Sequence, residues 1–403
     1  MRLLSLNAIM LSLLLTSCQK IKDVLPSTKE LQIKWDKSYG GSDSDYASSI
    51  VKTADGGLLL VGMSESADNS TTKKSNLLSE RDIWVVKTDL DGTYIWDKSF
   101  TLSPNGRRTS SAGKTIATSD GGYLLTGTSF YSIGIIKIDG LGNELWRVQS
   151  VSNFSDFWGS IDIVETSDKS FFIFAGGLNE CFVIKINSSG NVIWEKDIDV
   201  EDVNNTRIIS VKNNSLLCMY ATNNGNQISS FEIDHNGNIL KQDIIRTSKE
   251  ILTIQDIVFY SDGKYAMLIG EGDEYSAVST EYSNFIVGKF DSNSNQWSFL
   301  QLGAVDKEAF RTINILKSDK FVLGGYTYNG EPEGDSFIEI RDLNFKLESR
   351  AIFGGDGDDQ ISGIEVIGDN IYSICWSRSN MNTGTRKAKN FSILDYWLVK
   401  FSY

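Results

Sequence analysis

The chain has 403 residues, 40% of them hydrophobic and 23% charged, proportions that allow a sizeable core and exclude global disorder. A formal net charge of −13 argues against a nucleic-acid partner, whose phosphates would be repelled. One histidine leaves little material for Ser-His-Asp or Cys-His catalysis, or for a His-rich metal site.

The chain opens MRLLSLNAIMLSLLLTSC. Arg2 supplies a positive start, and Leu3 to Leu15 forms an apolar run of signal-peptide length, short for a membrane span. Leu15-Thr16-Ser17-Cys18 resembles a bacterial lipobox. That resemblance implies that residues 1–17 are a signal peptide and that Cys18 becomes the lipidated first mature residue, anchored by several acyl chains. Residues 18–30 then read as the lipidated cysteine and a polar tether. Gln19, not an acid, follows Cys18. By analogy with enterobacterial sorting, this points to the cell outer membrane. No later segment is long and apolar enough to span a bilayer.

From Leu31 onward the chain repeats itself. DIWVVKTDLDGTYIWDKSF (Asp82–Phe100) returns as IGIIKIDGLGNELWR, CFVIKINSSGNVIWEK and ISSFEIDHNGNILKQ. Lys87, Lys137, Lys185, Glu232, Lys289, Arg341 and Lys400 mark seven copies, 47 to 59 residues apart. Such a period signals a repeat architecture. The first unit has four short runs rich in β-branched and aromatic residues: ASSIVKT, LLLVGMS, DIWVVKT and TYIWDKSF. Ala54-Asp55-Gly56-Gly57 and Asp89-Leu90-Asp91-Gly92 supply the positive φ of tight hairpins. Three prolines in 403 residues suit many central strands. The expected fold is all-β: a seven-bladed β-propeller of four-stranded antiparallel blades over 31–403. The last unit stops after its third strand, DYWLVKFSY. LQIKWDKSYGG (Leu31–Gly41) matches a fourth strand, so the N-terminal strand is expected to complete blade 7 and close the ring. With Cys18 lipidated, Cys181, Cys218 and Cys375 lie in apolar runs and are expected as buried free thiols.

These W-x-K-x-x-G-G, T-x-D-G-G and W-V-V-K-x-D elements resemble those of the propeller-repeat lipoproteins of Bacteroidetes-type bacteria. The resemblance is strong in the first two units and fades in the fourth, where Glu232 and Leu240 replace the repeat's Lys and Trp. It implies the fold and no particular activity.

In a propeller the b–c and d–a loops emerge on one face. Long b–c insertions are expected at Glu65–Arg81, Glu271–Ser283, Tyr328–Asp335 and Ser377–Leu394. These belong to blades 1, 5, 6 and 7, which are neighbours around the ring, and loops of this freedom on a rigid scaffold are where binding residues gather. Lys73, Lys74, Arg378 and Arg386 are the candidate cations. Tyr275, Tyr282, Tyr328 and Phe391 are candidates for packing on a peptide or stacking on a sugar. The expected role is a non-catalytic, monomeric protein-binding scaffold in the cell envelope. Its partner would be an envelope protein or an extracellular glycan, and the membrane would be engaged through the N-terminal lipid. A surface glycan-binding protein and a carboxylate-dependent hydrolase or lyase are the alternatives. No catalytic residue, metal or cofactor is assigned. His235 falls in a c–d turn on the opposite face. GGSDSDY and GGDGDDQ could hold calcium, but both enter an innermost strand, where Asp oxygens can accept backbone N–H groups and fix the corner.

Overall fold

The structure, a computed structural model, describes residues 31–67, 72–102, 109–129, 132–149, 160–177, 181–200, 202–211, 215–222, 226–261, 263–272, 282–291, 294, 296–302, 308–317, 319–327 and 334–403. Residues 1–30, with the signal segment, Cys18 and the tether, lie outside them.

The described chain is 28 strands in seven four-stranded antiparallel sheets. After β1 (Gln32–Tyr39), blade 1 is β2 (Asp45–Lys52), β3 (Leu58–Ser64), β4 (Asp82–Thr88) and β5 (Tyr94–Phe100). Blade 2 is β6 (Thr109–Ala117), β7 (Tyr123–Ser129), β8 (Ser132–Ile138) and β9 (Glu144–Gln149). Blade 3 is β10 (Ser160–Glu165), β11 (Phe171–Gly176), β12 (Cys181–Ile186) and β13 (Val192–Asp197). Blade 4 is β14 (Val203–Val211), β15 (Ser215–Thr222), β16 (Gln227–Asp234) and β17 (Ile239–Thr247). Blade 5 is β18 (Ile251–Ser261), β19 (Lys264–Gly272), β20 (Tyr282–Asp291) and β21 (Gln296–Gln301). Blade 6 is β22 (Glu308–Leu316), β23 (Lys320–Thr327), β24 (Asp335–Asp342) and β25 (Leu347–Phe353). Blade 7 is β26 (Asp359–Ile367), β27 (Asn370–Ser377) and β28 (Asp395–Ser402), completed by β1 on its outer edge. Trp35 pairs with Lys400 and Tyr39 with Tyr396. The two ends of the chain thus share one sheet, which removes a free edge at the seam. Each innermost strand touches the innermost strands of both neighbouring blades, and β26 against β2 closes the circle.

The core lies between blades. β4 is buried along its whole length, because a middle strand is covered on both faces by the flanking blades. Seven apolar clusters fill the seven junctions. At the 7–1 junction Trp84, Leu58 and Ile50 meet Tyr372, Tyr396 and Leu398. Each such large side chain contributes roughly 1.5–3 kcal/mol by leaving water.

Two parts of the repeat have a structural task. In three successive outer strands the Trp sits beneath the c–d turn of the next blade: Trp35 under Gly92, Trp96 under Gly142 and Trp146 under Gly190. A Cβ at Gly92 would lie 2.9 Å from the Trp35 ring, and its φ of +69° is already left-handed, so only glycine fits. The repeat's Lys is buried and ties strand c to the a–b turn: Lys87 reaches Asp55 (2.8 Å) and Lys137 reaches Asp120 (3.0 Å). Burial pushes Asp120 upward, but bonds from Thr118 and Lys137 outweigh it and hold this carboxyl at about 2. His235 is equally structural. Its carbonyl accepts from Trp194 Nε1 (3.1 Å) and Lys185 Nζ (3.2 Å), and its ring packs on Phe172.

Cys181, Cys218 and Cys375 are buried free thiols. Burial raises Cys181 and Cys375 to about 12, which leaves them without thiolate reactivity at neutral pH.

Candidate functional site

The loop joining β3 to β4 (65–81) and the loop joining β27 to β28 (378–394) are 17 residues each, on adjacent blades. They are built the same way. An Asp on each outer strand acts as a clamp. Asp97 accepts the indole N–H of Trp84 (2.9 Å), the backbone N–H of Ser75 (2.8 Å) and of Lys74 (3.2 Å), and the hydroxyls of Ser75 (2.6 Å) and Tyr94 (2.7 Å). Burial pushes this carboxyl up, but the bonds from Ser75, Trp84 and Tyr94 outweigh it, and Asp97 titrates below its ordinary value. In blade 7, Asp36 accepts the indole N–H of Trp397 (3.0 Å) and the backbone N–H groups of Lys387 (2.8 Å) and Ala388 (2.6 Å). The described part of each loop is thereby folded back over the edge of its own blade.

The inner ends of the loops are fixed by the acidic corners. Asp45 accepts from Gly41 N (2.8 Å) and Ser66 Oγ (2.9 Å). Asp359 accepts from Gly355 N (2.8 Å) and Ser379 Oγ (2.6 Å). Thr72 Oγ1 bridges N–H and C=O of Gly40, and Thr385 Oγ1 those of Gly354. Both glycines are required by close approach: a Cβ on Gly40 would lie 2.2 Å from an Asp395 oxygen, and one on Gly354 would lie 1.9 Å from an Asp335 oxygen. In the G-G-x-x-x-D corners, Asp45 Oδ2 and Asp359 Oδ2 each accept a backbone N–H and a serine hydroxyl, as the turn reading expects.

Each loop also buries one cation, Lys73 or Arg386, both 0% exposed. Lys73 Nζ donates to the Ser75 carbonyl (2.5 Å) and to the hydroxyls of Ser75 and Ser99 (3.0 Å each), 5.6 Å from the Trp84 ring centroid. Arg386 donates to Ser38 Oγ (2.9 Å) and Ser377 Oγ, 5.5 Å from the Trp397 ring centroid and 3.7 Å from Asp395. Burial raises Asp359 and Asp395 to about 6 and Asp45 to about 7, and it lowers Arg386.

The eight candidate contact residues separate accordingly. Lys73 and Arg386 are internal braces whose charged ends face the blade rather than solvent, because the loops fold back instead of standing upright. Lys74 is exposed, with its ammonium 4.2 Å from the Tyr94 ring centroid. Arg378 is exposed and pairs with Asp358 at 3.3 Å. Phe391 is half-buried beneath Lys389. Tyr282 begins β20, opposite Gly272. Tyr275 and Tyr328 lie outside the described residues, as does most of the blade 5 insertion. The surface that emerges is continuous. The 40–44 link lies between the two loops, held by Ser66 Oγ on one side and by Ser392 Oγ (2.6 Å to the Asp43 carbonyl) on the other. The two loops expose the cations Lys74, Lys387 and Lys389 and the apolar side chains Leu78 (56%), Met381 (49%) and Ile393 (72%).

A sequence signal for this pairing exists and is easy to pass over. At a constant offset of 313, Ser66, Thr72, Lys73, Lys74, Ser79, Asp82 and Trp84 recur as Ser379, Thr385, Arg386, Lys387, Ser392, Asp395 and Trp397. The outer-strand Trp-Asp-Lys occurs in these two blades alone, at Trp35 and Trp96.

No family model and no curated protein matches the chain. Solved structures share its fold. A protein of unknown function from Dyadobacter fermentans aligns with TM-score 0.54 and 11% identity over 93% of this chain and 99% of that one. BBS1N, solved in complex with ARL6DN, aligns with TM-score 0.52 and 10% identity over 92% and 96%. A protein of unknown function from Bacteroides caccae covers 67% of this chain and 94% of its own, at TM-score 0.43 and 13% identity. At these identities the likeness to the Dyadobacter protein and to BBS1N extends to the fold alone.

Proposed function

We propose that this chain is a lipid-anchored propeller of the bacterial outer membrane, of the propeller-repeat lipoprotein type, that docks a protein partner on the crown formed by residues 65–81, 40–44 and 378–394. The role is non-catalytic. The observation that carries the reading is the twin-loop construction. Two 17-residue loops are clamped by Asp97 and Asp36 at the same positions, so the exposed cations and apolar side chains are held on a rigid surface. Preorganised side chains lose little freedom on binding. Lysines beside Leu78, Met381 and Ile393, on a chain of charge −13, suit a partner segment that is acidic and apolar. The lipid anchor rests on the lipobox-like Leu15-Thr16-Ser17-Cys18.

The test is co-purification from detergent-solubilised envelopes, with the full chain compared with a Lys74→Glu, Lys387→Glu, Ile393→Asp triple variant. All three sites are exposed, so the variant should melt like the parent. A partner held in near-stoichiometric amount by the parent and lost by the variant is the expected result. Equal capture by both removes the crown from consideration. Separately, Cys18→Ala should move the chain out of the membrane fraction.

A further inference from the structure

The central channel is lined by other residues than those of the crown. The innermost strands of all seven blades enclose a cavity of about 330 Å³. Its wall is asymmetric. The arc from blades 7 and 1 is small and neutral, with Ser48, Ser49 and Gly363. The arc from blades 2 to 6 carries Lys114, Arg207 and Arg311 against Asp162 and Asp256. That is three cations against two carboxylates, in a chain whose net charge is −13.

The carboxylates are already engaged in the wall. Asp162 accepts from Ile163 N (2.9 Å), Ile208 N (3.0 Å) and Lys114 Nζ (2.7 Å). Asp256 accepts from Ile257 N (2.9 Å), Thr312 Oγ1 (2.9 Å) and Ile313 N (3.0 Å). Among the described residues, neither one forms an ion pair with Arg207 or Arg311. Arg207 donates to the Thr206 carbonyl (2.7 Å) and to the Gln255 carbonyl. Arg311 donates to Gln255 Oε1 (3.2 Å) and Tyr326 OH (2.9 Å). Among the described residues, then, both arginines are bonded to neutral groups only, and one residue, Gln255, links them. A guanidinium has five N–H donors, so these bonds leave each with donors to spare. Among the described residues, two hydroxyls of the same wall, Thr115 Oγ1 and Ser49 Oγ, have no partner, and Thr115 is 4% exposed.

A half-buried guanidinium without a counter-charge is an expensive arrangement unless an anion completes it. Planar N–H forks match the paired oxygens of a carboxylate or phosphate, with charge-assisted bonds about twice as strong as neutral ones. A volume of about 330 Å³ is at the lower end of the range for small-molecule sites. We propose that the channel binds one small oxyanion, a carboxylate or a phosphate. Arg207 and Arg311 supply the charge, and Thr115 and Ser49 donate to its remaining oxygens.

Isothermal titration of the full chain in detergent with citrate and with inorganic phosphate tests this. Saturable binding of at least one of them, one per chain, is expected, and whichever binds identifies the oxyanion class. Arg207→Gln and Arg311→Gln should each weaken it at least tenfold. Ser49→Glu places a carboxylate in the same cavity. It should abolish binding and raise the melting temperature of the anion-free chain, which keeps the proposal testable where an arginine variant fails to fold. The crown triple variant should bind the anion like the parent. No saturable binding of either anion, or unchanged binding in Ser49→Glu or in both arginine variants, overturns the proposal.

Discussion

The loops 65–81 and 378–394 share a skeleton and differ in electrostatics. In blade 1 the buried cation is Lys73, set among two hydroxyls and a carbonyl. In blade 7 it is Arg386, near Asp395 at 3.7 Å and in the field of Asp359 and Asp36. Strand-borne acceptors, Asp97 and Asp36, fix the path of each loop, while the buried cation is free to be neutralised in different ways. Outside the clamps the two loops diverge: Glu80 stands where blade 7 has Ile393, and Leu78 where it has Phe391. The skeleton is thus determined by a few polar atoms, and the presented surface by the residues between them.

The largest expected effect separates the two cations. Arg386→Ala leaves Asp359 and Asp395 buried without their counter-charge and should cost about 3–5 kcal/mol. Lys73→Ala removes the donor to the Ser75 carbonyl and to the Ser75 and Ser99 hydroxyls and should cost ~1–3 kcal/mol. Urea unfolding of both variants checks this, and equal losses would break the distinction. Next, Gly40→Ala and Gly354→Ala both push a methyl into a carboxylate, and each should cost roughly 1–3 kcal/mol. A difference between them would show that the two corners are less alike than their hydrogen bonds.

A smaller effect should appear with pH. Asp45, Asp359 and Asp395 are raised by burial to about 7, 6 and 6, so the folded chain holds protons that the unfolded chain releases. Their stabilising contribution is complete below the unfolded carboxyl value and is lost as pH rises through about 6–7. Carboxyls held low, such as Asp97 and Asp120, act only further down, as pH falls below the ordinary range. Melting temperature should therefore decline between about pH 4 and pH 7. Asp45→Asn should flatten that slope, and an unchanged slope would mean that Asp45 stays ionised. The smallest effect is expected at the surface. Exchanging Glu80→Ile and Ile393→Glu should alter stability by no more than about 0.5 kcal/mol while changing partner capture.

Blade 4 extends the comparison. Its Glu232 and Leu240 break the repeat, yet β14–β17 form a complete four-stranded sheet. Glu232 is held by Ser215 Oγ instead of a turn carboxylate. The apolar junction with blade 3, around Phe174, Phe231 and Cys218, suffices to seat the blade.

The sequence by itself determined the seven blades, the strand exchange at the seam, the thiol burial and the one-sided long loops. They rest on short apolar runs and Asp-Gly turns, each formed within a few residues, and on their recurrence at a period of about 50 residues. Tertiary structure alone decided that Lys73 and Arg386 face inward while Lys74 and Lys387 face out. Arg386 meets Ser38 across 348 residues of chain, and Asp36 clamps Ala388 across 352. The channel was likewise invisible, because Arg207 and Arg311 become neighbours of Gln255 only when blades 4, 5 and 6 pack side by side. Which charges are buried is set by packing between distant segments, and a linear pattern of residue types carries no record of it.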